Sequence, residues 1–400
     1  MNKIITDSNK IKEILERGVE KVFKKDDLIK EMNCGKRLRV KLGVDPTTTD
    51  LHLGHAVVLQ KLKQFQDLGH QIIFLIGDFT SKIGDPSERD KTRPVLSDRE
   101  IKENAETYFA QASKILDIKK TEVRRNSEWL GGLKFNDIIK LCSAFTLAQM
   151  VQREGYKIRL KRKLPVGFQE TLYPVMQAYD SIALRANVEI GGRDQLFNLL
   201  AGRQLQEFLG QKPQNILALP LLIGIDGKQK MSKSLGNYIG ITEEPNQQHG
   251  KIMSIPDNLI IHYFESCTQV SLEEIREIKK GLSSGKINPR ETKAQLAREI
   301  VTIYHGKSAA ARAEKEFNRV FKLHQIPTDI KTRKLTSKKI NILDLLTITE
   351  LASSKSEAKR LVEQGAVKTD NLIIKDWRKE IMTTKNMILQ VGKRKFVKLI

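Results

Sequence analysis

Residues 37–76 contain a strand pattern, a helix pattern and a second strand pattern in immediate succession. Apolar residues alternate from Leu38 to Val44, which is typical of a β-strand, and an amphipathic helix is predicted over about residues 54–68. A second strand is predicted over residues 71–76. This spacing predicts a βαβ unit, whose strands lie parallel and whose crossover is right-handed. The chain is therefore expected to contain a parallel α/β sheet.

The remaining patterns predict further helices and strands, then helices alone, then a small mixed unit. We expect one helix over residues 9–23, helices over much of 136–154, 169–184 and 195–209, a buried strand over 215–223, helices throughout 243–323 and a basic linker over 331–339. The predicted fold class is α/β: a Rossmann-like doubly wound parallel sheet, then an all-helical domain, then a small C-terminal α+β domain. The predicted domains are residues 1–225, 226–330 and 340–400.

The chain carries a large excess of positive charge. Its formal net charge is +22, from 70 basic and 48 acidic residues. Residues 331–400 alone contain 17 basic and 7 acidic residues, so the charge is concentrated at the C-terminal end. Such an excess favours a polyanionic partner such as nucleic acid. Charge by itself leaves open the alternative that the lysines are simply solvated.

No pattern typical of a membrane or exported protein is present in the sequence. The longest apolar stretch, residues 217–225, is interrupted by Pro220 and Gly224, whereas a membrane helix needs about 20 consecutive apolar residues. Acidic residues near the N-terminus argue against a signal or transit peptide. The three cysteines are widely separated and odd in number, which fits a reducing compartment. We therefore expect a cytoplasmic protein without a membrane partner.

The sequence His-Leu-Gly-His occupies residues 52–55, at the start of the first crossover helix. Open α/β sheets bind ligands at this edge, and the free N–H groups of a helix N-terminus favour phosphate. His52 and His55 can donate hydrogen bonds to phosphate oxygens without a permanent charge, and Gly54 leaves room for a flat base. The alternative is a pair of helix-capping histidines. No third ligand lies nearby in the sequence, so no metal site is predicted.

Residues 227–237, called the lysine loop below, hold three lysines and two serines between glycines. Lysines on a mobile loop can neutralise the charge that grows on a departing pyrophosphate, and so act in the transition state more than in the ground state. The alternative is a solvated basic loop.

The two motifs, in this order and on these elements, resemble the two signatures of class I aminoacyl-tRNA synthetases. The resemblance extends over residues 40–237 and also implies a mobile phosphate clamp at Arg89, Lys91 and Arg93. The catalytic groups that it implies are His52, His55, Lys230 and Lys233. The ATP-binding residues that it implies are Asp45, Thr47, His52, Gly54, His55, Lys230, Ser232 and Lys233.

A third group of residues resembles the tyrosine pocket of tyrosyl-tRNA synthetases. Tyr173, Gln177 and Asp180 are spaced to lie on one face of a predicted helix. The resemblance implies that Asp85, Tyr173 and Gln177 hold the substrate ammonium, that Asp180 accepts the phenolic hydroxyl and that Gln195 meets the carboxylate. A buried acceptor without a partner would disfavour phenylalanine, so no editing site is required.

The sequence departs from the usual pattern of this family at three positions. Lys41 stands on the first strand at the place where a second tyrosine usually meets the substrate phenol. Another branch of the family also has lysine at this place. Recognition of the hydroxyl should therefore depend more heavily on Asp180. Glu88 stands where glycine is usual, and Arg193 where a small hydroxyl residue is usual. These two positions concern the phosphate loop and the rim of the pocket.

The C-terminal segment over residues 354–368 predicts a helix with basic and apolar residues on opposite faces, followed by Gly365 as a helix stop. It resembles the small RNA-binding module named after the fourth protein of the small ribosomal subunit. Such a module orients RNA through its phosphates, and it is generally lacking in the similar tryptophanyl enzymes. The tRNA-binding residues that the resemblance implies are Lys355, Lys359, Arg360 and Lys368.

Taken together, the resemblances imply a tyrosine–tRNA ligase. Tyrosine carboxylate would attack the α-phosphorus of ATP to give tyrosyl-adenylate and pyrophosphate, and the terminal adenosine of tRNA(Tyr) would then accept the tyrosyl group. Magnesium is expected to arrive with ATP, and no tightly bound cofactor is expected. The resemblance also implies a homodimer joined through about residues 100–160 and anticodon binding by residues 226–330. A tryptophanyl-tRNA synthetase and a non-catalytic RNA-binding protein on the same scaffold remain alternatives.

Overall fold

A six-stranded sheet with helices and a smaller second unit make up the fold. The structure is a computed structural model that describes residues 3–46, 50–85, 97–322, 325, 330–335, 339–392 and 395–400. Residues 1–310 form one compact unit and residues 311–400 form the other. Over the described part of the chain, no helix is both long and apolar enough to cross a membrane.

The first unit alternates strands and helices up to residue 219 and is helical after residue 245. Its strands are β1 (Lys21–Phe23), β2 (Arg39–Val44), β3 (Gln71–Ile76), β4 (Thr121–Arg125), β5 (Val188–Gly192) and β6 (Asn215–Leu219). Its helices are α1 (Ser8–Glu16), α2 (Lys25–Asn33), α3 (Leu53–Asp67), α4 (Asp98–Ala112), α5 (Ser127–Leu130), α6 (Phe135–Cys142), α7 (Leu147–Met150), α8 (Glu154–Lys161), α9 (Phe168–Ala183), α10 (Leu196–Phe208), α11 (Pro245–Met253), α12 (Ile260–Cys267), α13 (Leu272–Ser283) and α14 (Pro289–His305).

The sheet order is β1-β6-β5-β2-β3-β4, with β2 to β6 parallel and β1 antiparallel at one edge. From β2 the chain winds outward through β3 and β4, and it then returns to place β5 and β6 on the other side of β2. The winding therefore reverses between β2 and β5. In sheets of this kind, ligands bind at the carboxyl ends of the strands beside such a reversal.

The βαβ prediction for residues 37–76 is confirmed. β2 and β3 pair in parallel from Arg39 with Gln71 to Val44 with Ile76, and α3 lies between them in sequence. Residues 72–76 of β3 are all buried, as expected for a strand covered on both faces. The helices predicted around residues 169–184 and 195–209 are confirmed as α9 and α10, and residues 243–323 contain helices but no strand within the described part.

The single helix predicted over residues 9–23 is wrong beyond Glu16. Arg17 is extended, Gly18 takes a positive φ of 55°, and the chain continues as β1, which pairs with β6. A spacing of three between apolar residues fits a helix, but backbone pairing with a strand almost 200 residues later makes residues 21–23 a strand. The guanidinium of Arg17 also donates to the carbonyl of Thr268 at 2.7 Å, which fixes the end of α1.

The helices predicted over much of residues 136–154 are confirmed as α6, α7 and the start of α8, and Thr146 and Gln149 cap the start of α7. Two further boundaries differ from the sequence expectation. The strand predicted over residues 215–223 ends at Leu219, where Pro220 follows. Within the stretch expected as a linker, residues 331–333 form a strand.

The second unit contains two helices and seven short strands within its described residues after residue 330. They are β7 (Lys331–Arg333), β8 (Lys339–Asn341), α16 (Ile342–Ile348), α17 (Lys355–Glu363), β9 (Val367–Thr369), β10 (Leu372–Ile373), β11 (Glu380–Met382), β12 (Ile388–Val391) and β13 (Lys395–Leu399). Before them, α15 (Lys307–Phe321) runs across the boundary between the units. β7 pairs in parallel with β13 in a sheet of order β10-β9-β12-β13-β7, and β8 pairs with β11.

Buried side chains from both helices and the sheet form the core of this unit, including Leu345, Ala358 and Leu389. Polar strands at a sheet edge lack the apolar alternation of a half-buried strand, which is why β7 was not predicted. The unit confirms the small α+β character expected at the C-terminal end. The division of the preceding residues into a sheet domain and a helical domain stays a prediction.

Candidate active site

A cleft of about 360 Å³ lies at the carboxyl ends of β2 and β5, beside the reversal of winding. Eleven residues singled out from the sequence line it, although they come from six separate parts of the chain. They are Asp45, His52, Gly54, His55, Asp85, Tyr173, Gln177, Asp180, Gln195, Lys230 and Ser232.

Two of the sequence-predicted residues do not line this cleft or cannot be placed. Lys233 pairs with the carboxylate of Asp50, immediately before the His-Leu-Gly-His motif, and its side chain is about two-fifths exposed. Thr47 lies outside the described residues, as does the proposed phosphate clamp at residues 89–93. Asp50 was given no role by the sequence analysis.

The two histidines stand at the N-terminus of α3, with ring centroids 3.9 Å apart. The Nδ1 atom of His52 accepts a hydrogen bond from the backbone N–H of Gly54 at 3.2 Å, and the Nδ1 atom of His55 accepts from the N–H of His52 at 3.3 Å. Both neutral rings must therefore carry their proton on Nε2. Burial lowers the pKa of His52 to about 2, with smaller contributions from His55 and Lys230, and burial lowers the pKa of His55 to about 4. The pair supplies uncharged N–H donors at neutral pH.

The His-Leu-Gly-His motif and the segment after the lysine loop are joined by main-chain hydrogen bonds. Leu53 N–H donates to the carbonyl of Ile239 at 2.9 Å, and Ile241 N–H donates to the carbonyl of Leu51 at 3.0 Å. His52 faces Gly240 in the same two-stranded bridge. These bonds hold the start of α3 beside the chain that leaves the lysine loop.

Asn237 organises the lysine loop from inside. Its side chain is almost fully buried; its Oδ1 accepts from Ser232 N–H at 2.8 Å, and its Nδ2 donates to the carbonyl of Lys230 and the carboxylate of Asp226, each at 3.1 Å. The lysine loop is therefore shaped by a side chain to which the sequence analysis gave no role. Lys230 lies 3.6 Å from a carboxylate oxygen of Asp194, which also lines the cleft.

Tyr173, Gln177 and Asp180 share the face of α9 that borders the cleft, as their spacing predicted. The carboxylate of Asp180 is fully buried and accepts from the indole N–H of Trp129 at 2.8 Å and from Asn126 Nδ2 at 3.3 Å. Burial raises the pKa of Asp180 to about 7, against the lowering effects of Lys41 and of the two donors. An acceptor held by two donors retains lone pairs for a hydroxyl group that enters the cleft.

The phenolic hydroxyl of Tyr173 donates to Asp45 Oδ2 at 2.9 Å, and Thr80 Oγ1 donates to Asp45 Oδ1 at 2.8 Å. Asp45 was assigned to ATP from the sequence, yet it contacts a residue assigned to tyrosine. Gly77 packs so closely here that an added Cβ would lie 2.1 Å from Asp45 Oδ1 and 2.4 Å from Thr80 Oγ1. The absence of a side chain at residue 77 thus makes this arrangement possible.

Asp85 is held at both of its oxygens. Arg153 Nη2 donates to Oδ1 at 2.5 Å and Gln195 Nε2 donates to Oδ2 at 2.6 Å. Arg153 was not predicted from the sequence, and neither were Asn126 and Trp129 around Asp180. Asn126 directly follows β4, and its position at the carboxyl end of a sheet strand was the one available signal.

The basic residues expected to contact RNA lie in the second unit. Lys355, Lys359 and Arg360 are exposed on α17, and Lys368 is half-buried on β9. Lys355 pairs with Asp344 at 2.5 Å, and Lys359 Nζ lies 4.5 Å from the centre of the Trp377 ring. Lys355, Lys359 and Arg360 are called the basic face of α17 below.

Within the described residues, no group of three or more histidine, cysteine, aspartate or glutamate side chains is arranged to hold a metal ion. The donors of the cleft are amides, hydroxyls, neutral imidazoles and Lys230, and its acceptors include the carboxylates of Asp45, Asp85, Asp180, Glu189 and Asp194. This set suits ligands that carry both negatively and positively charged groups.

Two family models cover almost the whole sequence. The model described as "tRNA synthetases class I (W and Y)" matches residues 32–322, and the model of the tyrosine–tRNA ligase SYY-like C-terminal domain matches residues 322–399. The tyrosine–tRNA ligase of Moorella thermoacetica is 49% identical over 390 residues, which is 96% of this chain and 94% of that protein. The tyrosine–tRNA ligase of Thermotoga maritima is 48% identical over 386 residues, which is 96% of each chain.

Solved structures show the same fold at lower sequence identity. A tyrosyl-tRNA synthetase from Archaeoglobus fulgidus complexed with L-tyrosine matches with a TM-score of 0.63 and 23% identity, over 77% of this chain and 100% of that chain. A tryptophanyl-tRNA synthetase from Plasmodium falciparum matches with a TM-score of 0.58 and 16% identity, over 78% of this chain and 90% of that chain.

Proposed function

Because the chain belongs to the tyrosine–tRNA ligases of the class I aminoacyl-tRNA synthetases, it forms tyrosyl-tRNA from tyrosine, ATP and tRNA, and we propose how its cleft divides that work. The observation that carries the proposal is that both motifs and the polar face of α9 border one cleft. The α9 face and Asp85 receive tyrosine, and the start of α3 with the lysine loop receives ATP.

Tyrosine lies with its phenol toward Asp180 and its ammonium group toward Asp85, Tyr173 and Gln177. Asp180 accepts a hydrogen bond from the phenolic hydroxyl. Its ionised carboxylate has no proton to donate, and it retains acceptor capacity beyond the hydrogen bonds from Trp129 and Asn126. Phenylalanine would leave this buried acceptor without the partner that tyrosine supplies, which disfavours its binding. Gln195 meets the substrate carboxylate.

ATP lies with its phosphates over the N-terminus of α3. His52 and His55 donate from Nε2 to phosphate oxygens, Gly54 lies under the base, and Asp45 and Thr47 complete the nucleotide site. Neutral donors suit this task, because they carry no counter-ion that must be displaced when the nucleotide arrives. Magnesium enters as part of the ATP substrate.

The first chemical step is in-line attack of the tyrosine carboxylate on the α-phosphorus, which breaks the bond to pyrophosphate and needs no general base. Lys230, Ser232 and Lys233 contact the departing pyrophosphate. In the structure, Lys230 lies 3.6 Å from a carboxylate oxygen of Asp194 and Lys233 pairs with Asp50. Both lysines therefore exchange a carboxylate for phosphate oxygens during the reaction.

The second step transfers tyrosyl to the terminal adenosine of tRNA(Tyr). The basic face of α17, together with Lys368, contacts phosphates of the tRNA and orients it without reading its sequence. Residues 226–330 are the anticodon-binding part. The net charge of +10 over residues 331–400 supports this role.

The protein acts as a cytoplasmic homodimer. Large apolar side chains remain exposed on helices that pack together beside the cleft: Phe135 and Ile139 on α6, Leu147 on α7, and Phe168 on α9 are each more than half exposed. Such a group of exposed apolar residues is typical of a protein interface. α6 and α7 fall inside the segment over residues 100–160 that the sequence resemblance assigned to dimer formation. Sedimentation of the wild-type protein and of Phe135→Asp tests the dimer, and a wild-type monomer would contradict it.

Amino-acid-dependent exchange between pyrophosphate and ATP tests the assignment of the cleft. We expect exchange with tyrosine and not with tryptophan or phenylalanine, and we expect Asp180→Ala to remove it. Gly250→Ala, in α11 with open space around the added methyl group, is the matched control and should retain exchange. Wild-type exchange in the Asp180→Ala variant would show that the phenol does not bind there.

A further inference from the structure

An ion pair with no access to solvent lies directly behind the tyrosine end of the cleft. Lys41 and Glu189 face each other in register on the neighbouring strands β2 and β5, with Lys41 Nζ 2.9 Å from Glu189 Oε1. Their side chains are 0% and 1% exposed. Removing two charges from water is costly, and packed apolar side chains often serve stability as well. The pair therefore calls for an explanation beyond stability.

The carboxylate of Glu189 accepts hydrogen bonds from three side chains besides Lys41. Gln177 Nε2 donates to Oε1 at 3.2 Å, Ser181 Oγ donates to Oε2 at 3.1 Å, and the side-chain amide of Gln214 donates to Oε2. Lys41 in turn donates to Ser181 Oγ at 2.8 Å and to the carbonyl of Gln177 at 3.4 Å. Two residues of α9 are thus tied to the pair.

These bonds fix the orientation of the Gln177 side chain. Because its Nε2 donates to Glu189, its Oε1 is the end of the amide that can accept from a ligand. An ammonium group needs an acceptor at this point, and a flipped amide would present two N–H groups to it. Both Gln177 and Glu189 line the cleft, whereas Lys41 does not, so Lys41 acts from behind.

The same pair faces Asp180, one residue before Ser181 on α9. The charged groups that face Asp180 are Lys41 from β2 and Glu189 from β5, while Asn126 and Trp129 supply neutral donors. Burial raises the pKa of Asp180; Lys41 lowers it by more than Glu189 raises it. The pair thus shifts Asp180 toward the ionised form, which accepts a hydrogen bond from the phenolic hydroxyl.

We propose that Lys41 and Glu189 are positioning residues for tyrosine recognition: Glu189 orients the Gln177 amide toward the substrate ammonium, and Lys41 holds Glu189 while its charge supports the carboxylate of Asp180. This inference rests on the proposed placement of tyrosine in the cleft. It explains how a lysine can stand where the family usually has a phenol-binding tyrosine. The lysine acts on the two residues that touch the substrate and makes no contact of its own.

The decisive experiment compares Lys41→Met, Glu189→Gln and the double variant in tyrosine-dependent pyrophosphate exchange between about pH 6 and 9. In the double variant we expect the KM for tyrosine to rise by about 10- to 100-fold, the range that a misplacement of about 1 Å can cause, and the KM for ATP to stay within about twofold. The preference for tyrosine over phenylalanine should fall as well.

The pH dependence of kcat/KM for tyrosine separates a positioning role from a merely structural one. Its acidic limb reports the ionisation of the free protein. Lys41→Met should move this limb to higher pH, because a positive charge near Asp180 is lost, and Glu189→Gln should move it to lower pH. Loss of packing would shift both variants in the same direction, and that result would overturn the proposal.

Lys61→Met is the matched control. Lys61 is another buried lysine; it donates to the carbonyls of Ile14 and Arg17 and lies away from the cleft. Its loss should lower thermal stability without a change in the KM for tyrosine. Should a single variant fail to fold, the double variant still decides, because it leaves no unpaired buried charge; a KM for tyrosine within about twofold of wild type would overturn the proposal. Absence of tyrosine-dependent exchange in the wild-type protein would instead overturn the proposed placement itself.

Discussion

The buried carboxylate of Asp180 should make the protein less stable at alkaline pH than at acidic pH, and Asp180→Asn should remove that loss. Burial raises the pKa of Asp180 in the folded state from an ordinary 3.8 to about 7. A raised pKa means that the unfolded chain releases this proton first as the pH rises. The contribution of Asp180 is therefore fully present below about pH 4 and is lost progressively up to about pH 7.

The size of the effect follows from the pKa difference. A difference of about three pKa units corresponds to about 4 kcal/mol in the free energy of unfolding, gained by the variant over wild type at about 1.4 kcal/mol per pH unit. Asparagine has nearly the same shape as the protonated side chain, and its carbonyl can accept from Trp129. Asn126 cannot rotate to suit it, because its Oδ1 accepts from Phe79 N–H at 2.9 Å. The hydroxyl oxygen of the protonated aspartate can still accept from Asn126, whereas the amide nitrogen of the Asp180→Asn variant cannot, so this mismatch lowers the stability of the variant by an amount that does not change with pH.

Trp129 provides the assay. The chain has two tryptophans, and a Trp377→Phe background leaves Trp129, whose indole N–H donates directly to Asp180. Urea unfolding of both proteins, followed by fluorescence from about pH 4 to 8, should show that the stability of the variant relative to wild type rises by about 4 kcal/mol from the acidic to the alkaline end. The fluorescence of the folded wild-type protein should itself titrate near pH 7.

A stability difference that is the same at pH 5 and pH 8 would refute this reasoning, because it would mean that Asp180 does not change its charge in the folded protein over this range. The same variant should lose activity while it gains stability. A hydrogen bond to a charged group contributes about 1.5–3 kcal/mol, so kcat/KM for tyrosine should fall by about 10- to 150-fold. The two measurements together distinguish a destabilising functional carboxylate from a structural one.

Three further outcomes are expected. The pKa of His52, lowered to about 2 by burial, predicts that NMR of labelled histidine shows a neutral ring protonated at Nε2 between about pH 6 and 8, and a titration near 6.5 would contradict it. Gly77→Ala should raise the KM for ATP or tyrosine by about tenfold or more through the displacement of Asp45, whereas Gly250→Ala should leave both unchanged and stabilise α11 by about 0.5–1 kcal/mol in thermal unfolding. Neutralising the basic face of α17 should weaken tRNA binding, and the slope of log K against log salt concentration should become shallower by about 0.7–0.9 per charge removed. Pyrophosphate exchange should be unaffected. An unchanged slope would show that these residues do not contact the RNA.

Local patterns were sufficient wherever the structure depends on neighbours in sequence. The βαβ unit over residues 37–76 follows from alternation and spacing, and the shared face of Tyr173, Gln177 and Asp180 follows from the period of α9. The composition of residues 331–400 likewise indicated a basic unit before any element was known. Short-range geometry determines all of these features.

Non-local pairing explains the features that were missed. Val22 and Phe23 fit a helical stripe, and only the partner strand β6 makes them part of β1. Trp129 and Arg153 donate to Asp180 and Asp85 of the cleft, and no spacing in the sequence relates either donor to its acceptor. The buried pairing of Lys41 with Glu189 depends on the order of strands in the sheet, which brings residues 148 positions apart into register.

The main-chain bonds between the start of α3 and residues 239–241 set a limit on how the lysine loop can travel. One end of the loop is tied to the same short segment that carries His52, so that end moves only with the phosphate-binding helix itself. Lys230 pairs with Ile223 and Met231 N–H donates to the carbonyl of Leu222, so displacement is expected over residues 233–236. Insertions between Asn237 and Ile239 would lengthen the link between the lysine loop and residues 239–241, and would so separate the loop from the start of α3. Insertions near Gly227 would leave the length of this link unchanged.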